Sequence, residues 1–498
     1  MKKSIFITAV TLCLAFSYIH AQNDLEEWRK QSSRDFETFK AKIEREFRDF
    51  REKANAEFAE FMSRSWEEFH AFKGIPIPKS PDPVKQPTVE PDQKPSSDPL
   101  PFGKVTPLSE TEPRPQPVSP ILPEPPAPVK PDTPTPEPAK PGFSFSFFGT
   151  DCKVRLDNTL RFSLQDPSEK SVSQAWKTLS GNQYDALISD CLSLRDQLNL
   201  NDWGYMLLLK TMSEKFLNGE SNEAVLLQIF ILTQSGYKVR ISRLGDHLVL
   251  LIPFQETLYE YSFANIGGVK YYVMNKNLKG QKFYIYNHEF PKEKYFSWQA
   301  GQPKLTEKLT TPKTFTSVHY PEIKIKVQTN QNLMDLYNNH PMTADWNLYV
   351  GTGLSDVVKQ TLYPALKQAI ANKSKTEAAG MLLSFLQTTF DYKTDEEQFG
   401  YERPFFADEN FFHPYNDCED RSILYALLVK DLLGLEVVLL YYPSHLATAV
   451  YFPENVTGDY FSIEGKKFVV CDPTYIGASI GMAMPHLKNV SADVIKLQ

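Results

Sequence analysis

Proline is distributed so unevenly that it divides this chain before any other feature is considered. Of the 37 prolines in 498 residues, 23 lie between Pro76 and Pro141. Proline fixes φ and lacks a backbone donor, so a segment this rich in it forms neither a helix nor a central strand. We therefore predict a disordered, proline-rich linker over residues 74–142, between an N-terminal segment and a long C-terminal region.

The N-terminus has the pattern of a secretory signal peptide. Lys2 and Lys3 precede the apolar run IFITAVTLCLAF, and the small residue Ala21 follows it. A lipoprotein signal at Cys13 is the alternative, but Leu12 is too large for the usual site, so cleavage after Ala21 is preferred. The rest of the chain holds no run of roughly 18 apolar residues. We expect residues 1–21 to be removed and the mature protein to be exported, to the periplasm, the cell envelope or the medium, without a transmembrane helix.

Residues 22–73 carry two aromatic series with an 11-residue period. One series is Leu25, Phe36, Phe47, Phe58 and Phe69, and the other is Trp28, Phe39, Phe50, Phe61 and Phe72. Eleven residues make three helical turns, so both series stay on one face of a helix. Since a long linker follows, we predict an amphipathic helix that forms a coiled coil in a homo-oligomer or docks on an envelope partner.

The C-terminal region contains an internal repeat. At an offset of 198, ILTQSGYKVRISRLGDHLVLLIP lies beside LVKDLLGLEVVLLYYPSHLATAVY, so Gly236 matches Gly434 and His247 matches His445. Both halves have the pattern of an apolar helix, a strand, a histidine-bearing strand and a final strand. We predict an α+β fold with two diverged copies, residues 143–300 and 301–498.

Three polar residues in the second copy suggest covalent catalysis. Cys418 opens a predicted helix, where the unpaired N–H groups and the helix dipole favour a thiolate. His445 begins a strand, and Asp472 ends another in GKKFVVCDPTY. In such a triad Cys418 attacks a carbonyl carbon, His445 transfers the proton and Asp472 orients the imidazole.

These residues and their surroundings resemble the transglutaminase-like superfamily. The resemblance rests on DCED opening a helix, on the histidine in SHLATAV and on the aspartate in CDPTY, and it covers roughly residues 375–480. It is closest to the bacterial transglutaminase-like cysteine peptidases, although Asn416 stands where those proteins commonly have glycine. The resemblance implies a papain-like core with a Cys-His-Asp triad.

The function that this resemblance implies is that of an exported cysteine peptidase or amidase. The expected substrate is a protein, a peptide or a cell-envelope component, and hydrolysis is preferred over transglutamination. The alternative is a non-catalytic surface or envelope protein that uses the fold for binding. A net charge of −7 argues against a nucleic acid partner.

Two further candidate sites accompany the triad. Gln387, in SFLQTTFDY, is a candidate oxyanion donor, although a polar residue on a helix surface has the same pattern. Asp417, Glu419 and Asp420 form a candidate calcium site by resemblance to some periplasmic peptidases, although acidic residues also simply stabilise the first turn of a helix. We expect no other cofactor to be required.

The remaining chemistry-bearing residues are expected to be structural. The positions that match the triad in the first copy hold Glu220, His247 and Asn275, so this copy has no nucleophile and is predicted to be non-catalytic. A disulfide between Cys152 and Cys191 stays open on sequence grounds. Cys471 alternates with Asp472 along its strand and should face the core.

Overall fold

The protein is a mixed α+β structure with two six-stranded sheets, which confirms the predicted class. The computed structural model describes residues 38, 49, 52–64, 66–77, 85–90, 93–106, 142–274, 282–286, 293–298, 301–343 and 345–497. The predicted signal peptide therefore lies outside the described residues. Within the described ranges, no helix is both long enough and apolar enough to cross a membrane.

The elements follow one another in chain order. The helices are α1 (52–62), α2 (Glu169–Ser180), α3 (Asp185–Gln197), α4 (Asp202–Phe216), α5 (Asn222–Gln234), α6 (Gln331–Tyr337), α7 (Trp346–Thr352), α8 (Asp356–Ala369), α9 (Lys375–Thr389), α10 (Asp395–Phe399), α11 (Glu409–Phe412) and α12 (Cys418–Leu433). The strands are β1 (Glu67–His70), β2 (Phe102–Thr106), β3 (Phe143–Phe147), β4 (Thr150–Val154), β5 (Arg240–Leu244), β6 (His247–Pro253), β7 (Phe263–Ile266), β8 (Val269–Val273), β9 (Lys282–Ile285), β10 (Lys313–Thr316), β11 (Lys324–Val327), β12 (Asp391–Tyr392), β13 (Tyr415–Asn416), β14 (Glu436–Tyr442), β15 (His445–Tyr451), β16 (Tyr460–Ile463), β17 (Lys466–Cys471) and β18 (Ala492–Lys496).

Each large sheet organises one lobe, and the two sheets have the same strand order. The first lobe (52–77 and 142–298) has the order β1-β9-β5-β6-β8-β7, and the second lobe (85–106 and 301–497) has β2-β18-β14-β15-β17-β16. In each lobe a helix, α5 or α12, is followed by a glycine with positive φ, Gly236 or Gly434. A hairpin with a two-residue turn comes next, and its second strand begins at His247 or His445. The predicted order of elements is thus present in both lobes, and descent from one copy stays a prediction.

The sheet of the second lobe is apolar on both faces and therefore needs two covers. Along β14, Val437 and Leu439 face the core that contains α12, whereas Val438 and Leu440 face the opposite side. That opposite side is covered by side chains from 475–487 and by Leu100, which lies within the predicted linker. Both covers carry residues that reach the candidate active site.

We predicted one helix through residue 73, but the N-terminal aromatic segment does not form one. Helix α1 ends at residue 62, and β1 then joins the edge of the first sheet beside β9. The ring of Phe58 is 1% exposed and packs edge-on against Trp176 and Tyr286 of the first lobe. The prediction of a helix through residue 73 is wrong because residues 67–70 form β1. Phe58 and Trp66 are buried in an intramolecular core, whereas Phe72 is 51% exposed. The role as a coiled coil or docking segment stays a prediction. Most of residues 22–51 lies outside the described residues.

The predicted linker contains ordered structure, which corrects its extent. Residues 85–90 and 93–106, called the strap below, run along the second lobe and include β2, which pairs in parallel with β18. The N–H of Val89 donates to the carbonyl of Ile476 (2.9 Å), and the N–H of Leu100 donates to that of Tyr460 (2.8 Å). Proline is compatible with such an edge segment because only one side of the backbone must pair. Residues 107–141 of the linker lie outside the described residues.

Candidate active site

Cys418 is the first residue of α12. This end of the helix faces the sheet of the second lobe. A capping box between Asp417 and Asp420 fixes this first turn. The thiol is buried, with the residue 1% exposed. The backbone N–H of Leu446 donates to Sγ (3.4 Å), and the thiol donates to Oε2 of Glu419 (3.0 Å). The helix dipole and the N–H of Leu446 favour a thiolate, whereas the carboxylate of Glu419 opposes it.

His445 and Asp472 are held together at the neighbouring strand ends. His445 follows a two-residue turn after Tyr442, and its Nε2 donates to Oδ2 of Asp472 (2.9 Å). The other oxygen of Asp472 accepts the backbone N–H groups of Thr474 (2.9 Å) and Tyr475 (3.2 Å). The DPTY turn therefore fixes the carboxylate, which in turn holds the imidazole of His445 through Nε2.

Cys418 and His445 line one cavity of about 210 Å³, called the cleft below. Its walls come from several separate parts of the chain. The strap contributes Thr106, the first lobe contributes Tyr259, and α7 contributes Trp346. The structure thus places the three predicted triad residues together, with Asp472 behind the imidazole.

Tyr441 is a cleft residue that the sequence did not reveal. Cross-strand pairing sets it opposite Leu446, whose N–H reaches the sulfur. Burial, followed by the neighbouring Tyr259 and Glu419, raises the pKa of Tyr441. Its hydroxyl is therefore a neutral donor beside Cys418 at ordinary pH. An aromatic residue near the end of a strand is too common a pattern to have identified it.

Gln387 does not have the predicted oxyanion role. It is buried in α9, and its Nε2 donates to the carbonyls of Asp472 (3.1 Å), Tyr475 (2.9 Å) and Ala478 (3.0 Å). Both amide hydrogens are therefore committed to the backbone behind the triad carboxylate. Gln387 instead positions the segment that holds Asp472.

The acidic residues around the nucleophile form a group that differs from the predicted one. Ligand oxygens of Asp395, Asp417 and Glu419 lie within 4.8 Å of one another. Asp420 is not part of this group, and its two oxygens accept the backbone N–H groups of Phe405 (2.9 Å) and Asp417 (3.3 Å). Asp395 takes its place, and no spacing signal links it to DCED.

Two of these carboxylates, those of Asp395 and Glu419, have raised pKa values. Burial raises the pKa of Glu419. Burial and the nearby Asp420 and Glu419 raise the pKa of Asp395 well above its usual range. A bound cation would favour the ionised form of these two carboxylates.

Asn416 fits its position without the backbone freedom of glycine. It lies in β13, which pairs with β12 in parallel. Its Oδ1 accepts Nε of Arg421 (2.7 Å), and its Nδ2 donates to Oδ1 of Asn410 (2.8 Å). The departure from the expected glycine is thus accommodated by side-chain hydrogen bonds.

The other predicted residues lie outside the cleft. Glu220 is exposed and forms an ion pair with Lys210 (3.2 Å), and His247 is exposed at the start of β6. Asn275 lies outside the described residues. The cysteines of the described ranges, Cys152, Cys191, Cys418 and Cys471, are all free thiols, and Cys471 lies in the apolar core as predicted.

Comparisons with known proteins do not assign this site. No protein-family model, curated protein or solved structure matches the chain. The functional argument therefore depends on the geometry around Cys418.

Replacing Gln387 by leucine should destabilise the protein. The change keeps the volume but removes the side-chain donor from the carbonyls of Asp472, Tyr475 and Ala478, of which that of Tyr475 still accepts the N–H of Ala478. The loss costs about 1–3 kcal/mol. Thermal unfolding measures this loss, and Gln368→Leu, at an exposed position of α8, is the matched control. Unchanged stability with lost amide turnover would instead support the oxyanion role.

Proposed function

We propose that the protein is an exported cysteine peptidase or amidase that hydrolyses amide bonds of a protein, peptide or cell-envelope substrate through a thioester. The observation that carries this proposal is the thiol at a helix N-terminus sharing a cleft with an imidazole that is bonded to a buried carboxylate. None of the three residues is unusual alone. Their arrangement is the one that nucleophilic catalysis needs.

The reaction proceeds in two displacements at one carbonyl carbon. Nδ1 of His445 takes the thiol proton while Sγ of Cys418 attacks the amide carbon. The C–N bond then breaks, and the imidazolium gives its proton to the leaving amine. Water, deprotonated by the same imidazole, attacks the thioester and releases the carboxylic acid and the free thiol. Asp472 keeps the ring oriented and stabilises its positive charge.

The oxyanion formed in each displacement needs donors close to Sγ. We assign one such donor to the backbone N–H of Cys418, at the N-terminus of α12. The hydroxyl of Tyr441 supplies a second, neutral donor from the wall of the cleft. Together they replace Gln387 in the oxyanion role.

We also propose that the second lobe is a papain-like, transglutaminase-like core and that the first lobe is its diverged, non-catalytic copy. The cysteine helix lies against a sheet that carries the histidine and the aspartate, which supports the first part. The matching strand orders and two-residue turns support the second part. The first lobe keeps a role in the site, because Tyr259 forms one wall of the cleft.

Calcium is the cation that we propose for the acidic group. Asp395, Asp417 and Glu419 supply hard carboxylate oxygens at mutual distances that one ion can bridge, which is the donor chemistry that calcium prefers. When bound, the ion neutralises the carboxylate beside the thiol and so favours the thiolate. The chain itself still provides the nucleophile, the base and the orienting carboxylate.

Reactivity of the four thiols in the folded protein tests the proposed nucleophile. We expect iodoacetamide to alkylate Cys418 at neutral pH on the order of ten times faster than a free cysteine, because the thiolate is stabilised. The other three buried thiols serve as internal controls, read by peptide mass spectrometry. His445→Gln should abolish the enhancement, and Cys418→Ala should abolish release of amines from casein.

A Cys418 thiol no more reactive than free cysteine would contradict the proposal that the protein is an enzyme. Peptide binding by the same protein would then favour the alternative of a binding module.

Calcium should stabilise the folded protein. An ion that binds only the folded state adds about 2.7 kcal/mol at 100 times its Kd, so the thermal midpoint should rise by several degrees. Asp417→Asn should remove this response, whereas Glu436→Gln, at an exposed site on β14, should keep it. An unchanged midpoint of the unmodified protein at millimolar calcium would rule the ion out.

A further inference from the structure

A second cavity, of about 280 Å³, lies between the lobes and adjoins the cleft. Tyr259, Met342 and Glu402 line both cavities. The second cavity is therefore next to the cleft, on the far side of these three residues. Its remaining walls come mainly from 337–349 and 401–409.

The lining of the two cavities is strongly acidic. Its two cations, Lys104 and Arg403, are each paired with a lining carboxylate, Asp493 and Glu409 respectively. Glu260 and Glu402 line the second cavity as further carboxylates. Asp345 and Glu419 line the cleft, where burial raises the pKa of both, so the negative charge of the second cavity comes from Glu260 and Glu402. A net negative lining attracts a cationic group and disfavours an anionic one.

The second cavity also has an aromatic wall. Tyr349 and Phe406 are buried, with ring centroids 5.1 Å apart, and Tyr337 stacks on Phe406 at 4.1 Å. Tyr401, at the outer side, is 47% exposed. Burial lowers the pKa of His340 to about 4, so this lining residue adds no positive charge at neutral pH.

We propose that this second cavity is the substrate subsite for a lysine or arginine side chain next to the amide bond that is cleaved. The aliphatic stem packs along the tyrosine rings, and the cationic head lies beside Glu402. An acidic cavity without aromatic walls would suit a hydrated metal ion equally well, whereas aromatic faces select an organic cation with an apolar stem. The inference deepens the proposed function, and it makes Tyr259 of the first lobe part of substrate recognition.

Binding to a variant that cannot turn over tests the subsite separately from catalysis. The protein is Cys418→Ala, and the probes are acetylated heptapeptide amides with lysine, norleucine or glutamate at the centre of an otherwise alanine and glycine sequence. Norleucine has a stem like that of lysine but no charge. We expect the lysine peptide to bind about ten times more tightly than the norleucine peptide in isothermal titration calorimetry, from its ion pair and cation–π contacts.

Two additional substitutions in the Cys418→Ala protein locate the preference. Glu402→Gln should bring the lysine and norleucine affinities together, and Tyr259→Leu should weaken both. Glu436→Gln, the exposed control, should leave the preference intact. Thermal unfolding verifies that each variant is folded. The comparison of the lysine and norleucine peptides is made with Glu402 unchanged, so it does not depend on the folding of the Glu402→Gln variant.

Equal binding of the lysine and norleucine peptides would overturn the inference. Preference for the glutamate peptide, or no detectable binding of the lysine peptide, would overturn it as well. A hyperreactive Cys418 without lysine preference would support the proposed enzyme and contradict the proposed subsite. Lysine preference with an inert Cys418 would support the proposed subsite and contradict the proposed enzyme.

Discussion

The sheet of the second lobe has apolar side chains on both faces, and covering them creates the candidate site. Helix α12 covers one face, so its N-terminus brings Cys418 to the strand that begins at His445. The strap helps to cover the other face, and its pairing with β18 brings Lys104 and Thr106 to the cleft. Burial of apolar area thus fixes groups whose own interactions would be too weak to position them.

A conflict of charges is built into the site. The thiol donates to a buried carboxylate, which favours the neutral thiol, whereas the helix dipole and the N–H of Leu446 favour the thiolate. Neutralising the Glu419 carboxylate would favour the thiolate of Cys418 over the neutral thiol. The acidic group and the triad are therefore one electrostatic unit rather than two separate sites.

The meeting of Cys418, His445 and Asp472 and the order of elements were predictable because their signals are local. A helix start, a histidine at a hairpin and an aspartate before proline are each visible in a short window. Asp395, Tyr259 and Tyr441 reach the site through long-range contacts, and no spacing in the sequence anticipates these. The 11-residue aromatic period correctly indicated a helix at 52–62, but it continues through 67–72, where pairing of β1 with β9 overrides it. The proline content likewise led to the prediction of a disordered linker where the strap is ordered, since an edge segment tolerates proline.

The most direct test of the account is the mass of the acyl-enzyme. The protein would be mixed with a p-nitrophenyl ester of an acetylated lysine peptide, quenched in acid at successive times and weighed intact. One acyl adduct, mapped to Cys418, should disappear with time in the unmodified protein, persist in Asp472→Ala and never form in Cys418→Ala. The absence of an adduct on the unmodified protein, or an adduct spread over lysines and other thiols, would contradict it.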